Sequence, residues 1–164
     1  MKTLLIVRHA KSSWDLSTPN DIDRPLNDRG KKDAPVAAKR LVNKGISIDA
    51  FISSPAKRAK KTAKYFMEEF GIDKHQLIIV PELYEAHTSD FYNVVRSLDD
   101  EYKTVAIFSH NPGITDFVND LTEVNTDNMP TSAVFAVQID TDQWQQFREA
   151  GKKFLFFDYP KLHD

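Results

Sequence analysis

Two histidines close two apolar runs in this chain. Leu4-Leu5-Ile6-Val7 leads into Arg8-His9, and Val105-Ala106-Ile107-Phe108-Ser109 leads into His110. A third run, Ala50–Ser53, is followed by Ser54-Pro55-Ala56-Lys57-Arg58, and a fourth by a turn segment that carries Glu82, Glu85 and His87. Imidazole beside guanidinium suits phosphoryl transfer. Phosphate spreads its charge over several oxygens, so a site that transfers it needs fixed cations aimed at those oxygens as the transition state forms. Arg8 and Arg58 meet that need, because a guanidinium presents paired donors and keeps its proton. His9 is the candidate nucleophile, since a neutral imidazole attacks phosphorus without a metal or a separate base.

His110 would stand beside the phosphoryl group and donate a hydrogen bond to it, with the anion favouring its charged form. Backbone N–H groups of the Asn111–Gly113 segment, where a helix opens, add donors. The leaving group needs a proton, for which Glu85 is the candidate and Glu82 its competitor. Lys11, Arg24, Asn111 and His87 complete the candidate phosphate- and substrate-binding set. Arg24 suits equally well a pairing with Asp21, Asp23 or Asp28 that holds its own loop, and His87 suits a solvated loop position. Lys57, Lys60, Lys61 and Lys64 form a basic stripe, ordinarily a solvated face, that would otherwise steer an acidic partner. His75 and His163 have no motif context and are expected on the surface.

These residues must be brought together by the elements that carry them. Apolar runs of strand length cover Thr3–Val7, Ala50–Ser53, Gln76–Val80 and Thr104–Ser109, continuous rather than alternating, which predicts strands covered on both faces. Helical stripes lie between them. Ala34, Ala37, Ala38, Leu41 and Val42 form one, and Ala59, Thr62, Ala63, Phe66, Met67 and Phe70 form another that ends at Gly71. Phe91, Val94, Val95 and Leu98 follow Thr88 or Ser89 as cap, and Ile114, Phe117, Val118 and Leu121 follow Asn111-Pro112. Pro35 conflicts with a helix starting after Asn27, because an interior proline removes a hydrogen bond. That helix is expected either to kink near Lys31 or to start at Asp33.

Alternating strands and helices predict a three-layer α/β/α sandwich with a mainly parallel central sheet. The tail strands Ala133–Ile139 and Lys152–Tyr159, with no long helix between them, supply an antiparallel edge strand. In such a sheet ligands collect at the carboxyl ends of the strands, where Arg8-His9, Ser54–Arg58, Glu82–His87 and Ser109–Gly113 would converge on one crevice.

Composition narrows the class further. With 164 residues, a single domain spanning residues 1–164 is expected. A net charge of -2 argues against nucleic-acid binding. The absence of cysteine removes disulfides, thiolate nucleophiles and cysteine-based zinc sites. The apolar start stops at Arg8 with no cleavage site after it, and no run reaches the roughly 18 residues of a membrane span. The expectation is a cytoplasmic protein, with no membrane partner and a monomer favoured.

The segments Leu5-Ile6-Val7-Arg8-His9-Ala10, Arg24-Pro25-Leu26-Asn27-Asp28-Arg29-Gly30, Ser53-Ser54-Pro55-Ala56-Lys57-Arg58-Ala59 with Thr62-Ala63, Leu83-Tyr84-Glu85-Ala86 and Phe108-Ser109-His110-Asn111-Pro112-Gly113 follow one another in order. Together they resemble the motifs of the histidine phosphatase superfamily, from Leu4 to about Leu121. The short length and Arg-His-Ala in place of Arg-His-Gly are similar to its SixA-type phosphohistidine phosphatases. This resemblance implies a phosphoglycerate mutase-like fold and phosphorylation of His9. It also implies a phosphate pocket completed by Arg8, Arg58 and His110, with no cofactor and no metal. Glu85 stands where many members keep a proton donor, although SixA-type members do not depend on it uniformly. The substrate implied is a phosphohistidine-bearing protein or a small phosphomonoester. The alternatives are a phosphoglycerate mutase and an inactive phosphate-binding module; a metal hydrolase built on His9, His87 and His110 lacks the close ligand spacing such sites favour.

Overall fold

Strand β1 (Lys2–Arg8) lies at the heart of a six-stranded sheet in a computed structural model that describes residues 1–14 and 20–164. The other strands are β2 (Ala50–Ser53), β3 (Ile78–Ile79), β4 (Thr104–Ser109), β5 (Val134–Ile139) and β6 (Lys152–Asp158), in the spatial order β3-β2-β4-β1-β5-β6. β1, β2, β3 and β4 pair in parallel. Leu4 to Val7 and Val105 to Phe108 are fully buried, as their unbroken apolar runs predict for strands covered on both faces.

The helices α1 (Asp28–Asn43) and α2 (Lys57–Glu69) cover one face, where Leu5, Val7, Phe51, Phe66 and Phe108 share a core. Helices α3 (Thr88–Arg96) and α4 (Gly113–Asn119) cover the other, over Ile6, Ile107, Phe91, Phe117 and Trp144. The three layers are those expected. At the tail the edge strand β6 pairs antiparallel with β5, and β5 pairs antiparallel with β1, so the reversal is made one strand in from the edge.

Four boundaries differ from the sequence reading. Helix α1 starts at Asp28, not Asp33, and runs through Pro35. Asn27 caps it by accepting the Gly30 N–H at 2.9 Å, and Gly30 rests so closely on the Lys11 carbonyl that a Cβ there would stand 2.1 Å from its oxygen. That anchoring outweighs the bond lost at Pro35. Strand β3 keeps only Ile78 and Ile79, because a short turn over Lys74–Gln76 and another opening at Pro81 take its flanks. Helix α3 is capped at His87, whose N–H donates to Asp90 Oδ2 at 2.8 Å, rather than at Thr88 or Ser89. Helix α4 starts at Gly113, one residue beyond the position read for Pro112. Gly71 does end α2: at φ 69° it lets its own N–H reach the Glu68 carbonyl and that of Ile72 reach Met67.

Candidate active site

Register places the chemistry. Arg8 of β1 lies opposite Ser109 of β4, and Ser53 of β2 opposite Phe108, so the residues that follow these strands emerge side by side. His9 and His110 stand with ring centroids 5.1 Å apart. They open into a cleft of about 830 Å³ that also gathers Arg8, Arg58, Arg24, Lys11, Glu85, His87 and Asn111. Every sequence-derived site residue therefore lines one cavity. Glu82 does not; it lines a separate hollow between β3 and α3.

His9 is 6% exposed, and its Nδ1–H donates to the Ala10 carbonyl at 2.7 Å. A carbonyl only accepts, so the ring's single proton is held on Nδ1 and Nε2 keeps its lone pair. Burial lowers the imidazole pKa to about 3, with Arg58, Arg8 and Arg24 acting in the same direction against the opposing Ala10 bond. The ring is neutral at pH 7. The segment around it is tied down on three sides: the His9 N–H to Ser109, the His9 carbonyl to the Ser132 N–H, and the Ala10 N–H to Thr62 Oγ1 on α2.

His110 is lowered to about 2, first by burial and then by His9 and Arg58. The charge expected on it is therefore absent before an anion arrives. Its Nε2 lies 2.7 Å from Ser54 Oγ, which already accepts the Ala56 N–H and so has its own proton to give. With the hydroxyl donating to Nε2, the ring proton stands on Nδ1, which is buried without a partner. Two further nitrogens of cleft-lining residues share that state, Nε of Arg8 and Nε of Arg58; Arg40 Nη2 does so away from the cleft. All three donors belong to cleft-lining residues, and a buried N–H left unpaired costs free energy that an acceptor reaching it would return.

The arginines are held by neighbours that sequence reasoning passed over. Arg8 Nη1 donates to the Met129 carbonyl at 2.8 Å. Arg58 donates through Nη1 to the Asp21 carbonyl at 2.7 Å and through Nη2 to Asp21 Oδ2 at 3.0 Å. Asp21 Oδ1 accepts from Arg24 Nη1 at 2.9 Å, and Tyr84 donates its hydroxyl to Oδ2 at 2.6 Å. Burial would raise the Asp21 carboxyl, but the bonds from Tyr84, Arg58 and Arg24 outweigh it and hold the group below the usual carboxylate range. Arg24 thus does both things weighed for it, lining the cleft and pairing with Asp21. It also donates to Ser12 Oγ and to the Ser13 carbonyl, and lies 3.5 Å over the ring of Trp14, which is 78% exposed at the rim. Asp21, three residues before Arg24, was visible as a loop partner only, and Tyr84 and Trp14 gave no polar signal.

Glu85 lines the cleft at φ 55°, a left-handed conformation that side chains other than glycine adopt only when their surroundings impose it. Ser109 Oγ donates to the Leu83 carbonyl at 2.6 Å, and Gly113 lies so close to the Ala86 carbonyl that an added Cβ would stand 1.9 Å from the oxygen. The Glu85 turn is thus clamped onto the end of β4. Asn111 spends both amide hydrogens on Asn128 and Met129 and accepts from Thr115, so its side chain supports the carbonyl that holds Arg8. Lys11 and His87 are exposed at the mouth. His75 is exposed, and His163 pairs with the buried Asp158 at 2.5 Å. Among the described residues no three His, Asp or Glu side chains gather as metal ligands, and no helix is long and apolar enough to cross a membrane.

Residues 4–104 match the model of the histidine phosphatase superfamily, branch 1, which is more than half of the chain. The chain belongs to the histidine phosphatase superfamily. The family match supports a phosphatase, an enzyme of the hydrolase class. An uncharacterised protein of Mycobacterium leprae is 28% identical over 167 residues, covering 94% of this chain and 100% of that protein. A 2,3-bisphosphoglycerate-dependent phosphoglycerate mutase of Bartonella henselae is 32% identical over 91 residues, 54% of this chain but only 44% of the mutase. Among solved structures, the protein histidine phosphatase SixA complexed with tungstate has a TM-score of 0.80 at 22% identity, over 94% of this chain and 95% of that one. The mycobacterial glucosyl-3-phosphoglycerate phosphatase bound to VO3 has a TM-score of 0.72 at 14% identity, over 94% and 97%. The chain thus shares its fold with the SixA structure almost end to end.

Proposed function

We propose that residues 1–164 act as one catalytic domain, a cytoplasmic, metal-independent phosphatase that works through a phosphohistidine on His9, with a protein phosphohistidine as its substrate. One observation carries the reading: His9 presents a bare Nε2 to a cleft whose Arg8, Arg58 and His110 each hold an unmatched nitrogen. His9 Nε2 attacks phosphorus in line as the bond to the leaving nitrogen or oxygen breaks, and Glu85 gives the leaving atom its proton. Arg8, Arg58 and His110 Nδ1–H take the equatorial oxygens and stabilise their charge as the phosphoryl group moves. Glu85, now a carboxylate, removes a proton from water. The water oxygen attacks phosphorus, the P–Nε2 bond breaks and phosphate leaves. Lys11 and His87 at the mouth, and Arg24 in the cleft wall behind Trp14, contact the part of the substrate beyond the phosphate.

Support for a protein substrate over a small phosphomonoester lies in the open rim, where Trp14, Lys11 and His87 are exposed. A mutase reading has less behind it, since the match to the Bartonella mutase leaves more than half of that protein without a counterpart. The decisive experiment is incubation with a radiolabelled phosphoryl donor followed by a rapid quench. Acid-labile label on the wild-type protein, absent from His9→Ala, is expected; turnover without label, or label unaffected by that substitution, defeats the proposal. Free phosphate rather than an isomerised sugar-acid phosphate is the expected product.

A further inference from the structure

Helix α2 carries its charges the wrong way round for its own stability. Its first turn holds Lys57, Arg58 and Lys60 with no acidic residue, and its last turn holds Glu68 and Glu69 with no basic one. A helix N-terminus is positive, so cations there and anions at the far end are both unfavourable. Lys57, Lys60, Lys61 and Lys64 add like-charge neighbours at every helical spacing they share: 57–60 and 61–64 at three residues, 57–61 and 60–64 at four. None of the four lysines forms an ion pair with a carboxylate among the described residues. Arg58, from the same turn, lines the cleft and is paired with Asp21. The lysines have no such carboxylate: Lys57 and Lys61 are exposed, and Lys60 and Lys64 are half-buried.

These four lysines share one surface hollow of about 340 Å³ with Pro55 and Asp23. The hollow adjoins the cleft. Pro55 follows Ser54, which bonds His110, and Asp23 lies between Asp21 and Arg24, both of which line the cleft. A chain with a net charge of -2 thus concentrates four lysines without a carboxylate partner among the described residues beside its site, along about 10 Å of helix, with Lys61 lying 5.2 Å over the Tyr65 ring. An anionic surface laid over the stripe would relieve that repulsion.

We propose that the Lys57–Lys64 stripe docks an acidic surface of the phosphoprotein substrate, with Asp and Glu side chains near the phosphorylated residue lying over α2 while the phosphoryl group enters the cleft. The proposal rests on the phosphatase reading above and names its substrate class: an acidic protein surface rather than a free small phosphate. Rim charges of this kind act through capture and are screened by salt, so the effect falls on kcat/KM.

The test uses two synthetic phosphohistidine peptides of one core sequence, flanked by Asp and Glu or by Ser and Gln, with phosphoramidate as a small substrate. The acidic peptide is expected to show a kcat/KM about tenfold or more above the neutral one at low salt, lost at about 0.5 M salt. In the variant Lys57→Gln, Lys60→Gln, Lys61→Gln, Lys64→Gln the two peptides become equal while phosphoramidate hydrolysis is unchanged. Equal peptides with the wild-type protein, or a preference that survives in the variant, overturn the proposal. Binding of the unphosphorylated acidic peptide, expected for wild type and lost in the variant, separates the surface from the chemistry. If no phosphoryl compound is turned over yet this peptide binds, the phosphatase reading fails and the docking surface stands; if it does not bind, or an RNA oligonucleotide of equal charge binds better, the docking surface fails.

Discussion

Asp21 Oδ2 lies 3.0 Å from Arg58 Nη2, so the arginine proposed to bind phosphate is already engaged by a carboxylate in the protein itself. The same carboxylate accepts from Arg24 and Tyr84, and its backbone carbonyl takes the other Arg58 Nη. Its side chain is 48% exposed while that of Arg58 is 7% exposed, so the anion sits at the cleft's edge and the cation in its wall. An incoming phosphate meets two arginines whose charge is partly answered.

Removing that answer strengthens anion binding. Asp21→Asn keeps the shape and a hydrogen-bond acceptor but deletes the negative charge, and inorganic phosphate is expected to inhibit the variant several-fold more tightly than wild type. Product-inhibition constants measured at fixed ionic strength check this. Weaker phosphate binding in the variant would mean that the carboxylate acts by aligning Arg58, not by competing with the ligand.

Glu85→Gln separates the proton donor from the phosphate pocket. The amide cannot give a proton, so a substrate with a poor leaving group loses about 100-fold or more in kcat/KM, which reports the step that phosphorylates His9, whereas one whose leaving group departs as a stable anion loses little in kcat/KM. A comparison of an alkyl and a nitrophenyl phosphate supplies the two arms. Equal losses on both would remove Glu85 from the protonation step.

The buried neutral histidines make the fold sensitive to acid. His9 and His110 have pKa values lowered from 6.5 to about 3 and about 2, so the unfolded chain takes up protons that the native protein refuses. Their contribution is fully present above about pH 6.5 and is lost as pH falls towards the folded values, with a slope of up to about 1.4 kcal/mol per pH unit for each histidine. The carboxylates held low, Asp21 and Asp158, act only as pH falls through and below the ordinary carboxylate range. Urea denaturation between about pH 5 and 6.5 should show this slope, roughly halved in His110→Gln. A slope unchanged by that substitution contradicts the buried neutral assignment.

Gly113→Ala tests the clamp on the Glu85 turn. The added Cβ would meet the Ala86 carbonyl oxygen at 1.9 Å, so α4 and the turn must separate at a cost of about 1–3 kcal/mol. Because Ala86 adjoins Glu85, turnover of the alkyl phosphate should fall further than that of the nitrophenyl phosphate at a temperature where the variant stays folded. Full activity with unchanged stability would show the contact to be loose.

Much of this was legible in the chain because its signals are local. The runs ending at Val7, Ser53 and Ser109 read as strands buried on both faces, and they are, since burial on both faces leaves no reason for alternation. Gly71 read as a helix end because a left-handed residue is needed there. Pro35 misled for the same reason that it is informative: its cost is local, whereas the contact that outweighs it, Gly30 on Lys11, joins distant residues. The Ile78–Ile79 strand shrank because it is an exposed edge strand.

The sequence by itself determined the order of strands and helices, the strand ends that carry Arg8, His9, Ser54 and His110, and the residue types suited to phosphate, because periodicity and side-chain chemistry are written along the chain. Only the tertiary structure decided that Glu85 and not Glu82 faces the cleft, that Asn111 braces Met129, and that Asp21, Arg24, Arg58 and Tyr84 form one charged cluster. Asp21 and Tyr84 are 63 residues apart, and their meeting depends on the register of parallel strands and the helices packed over them, which no local pattern encodes.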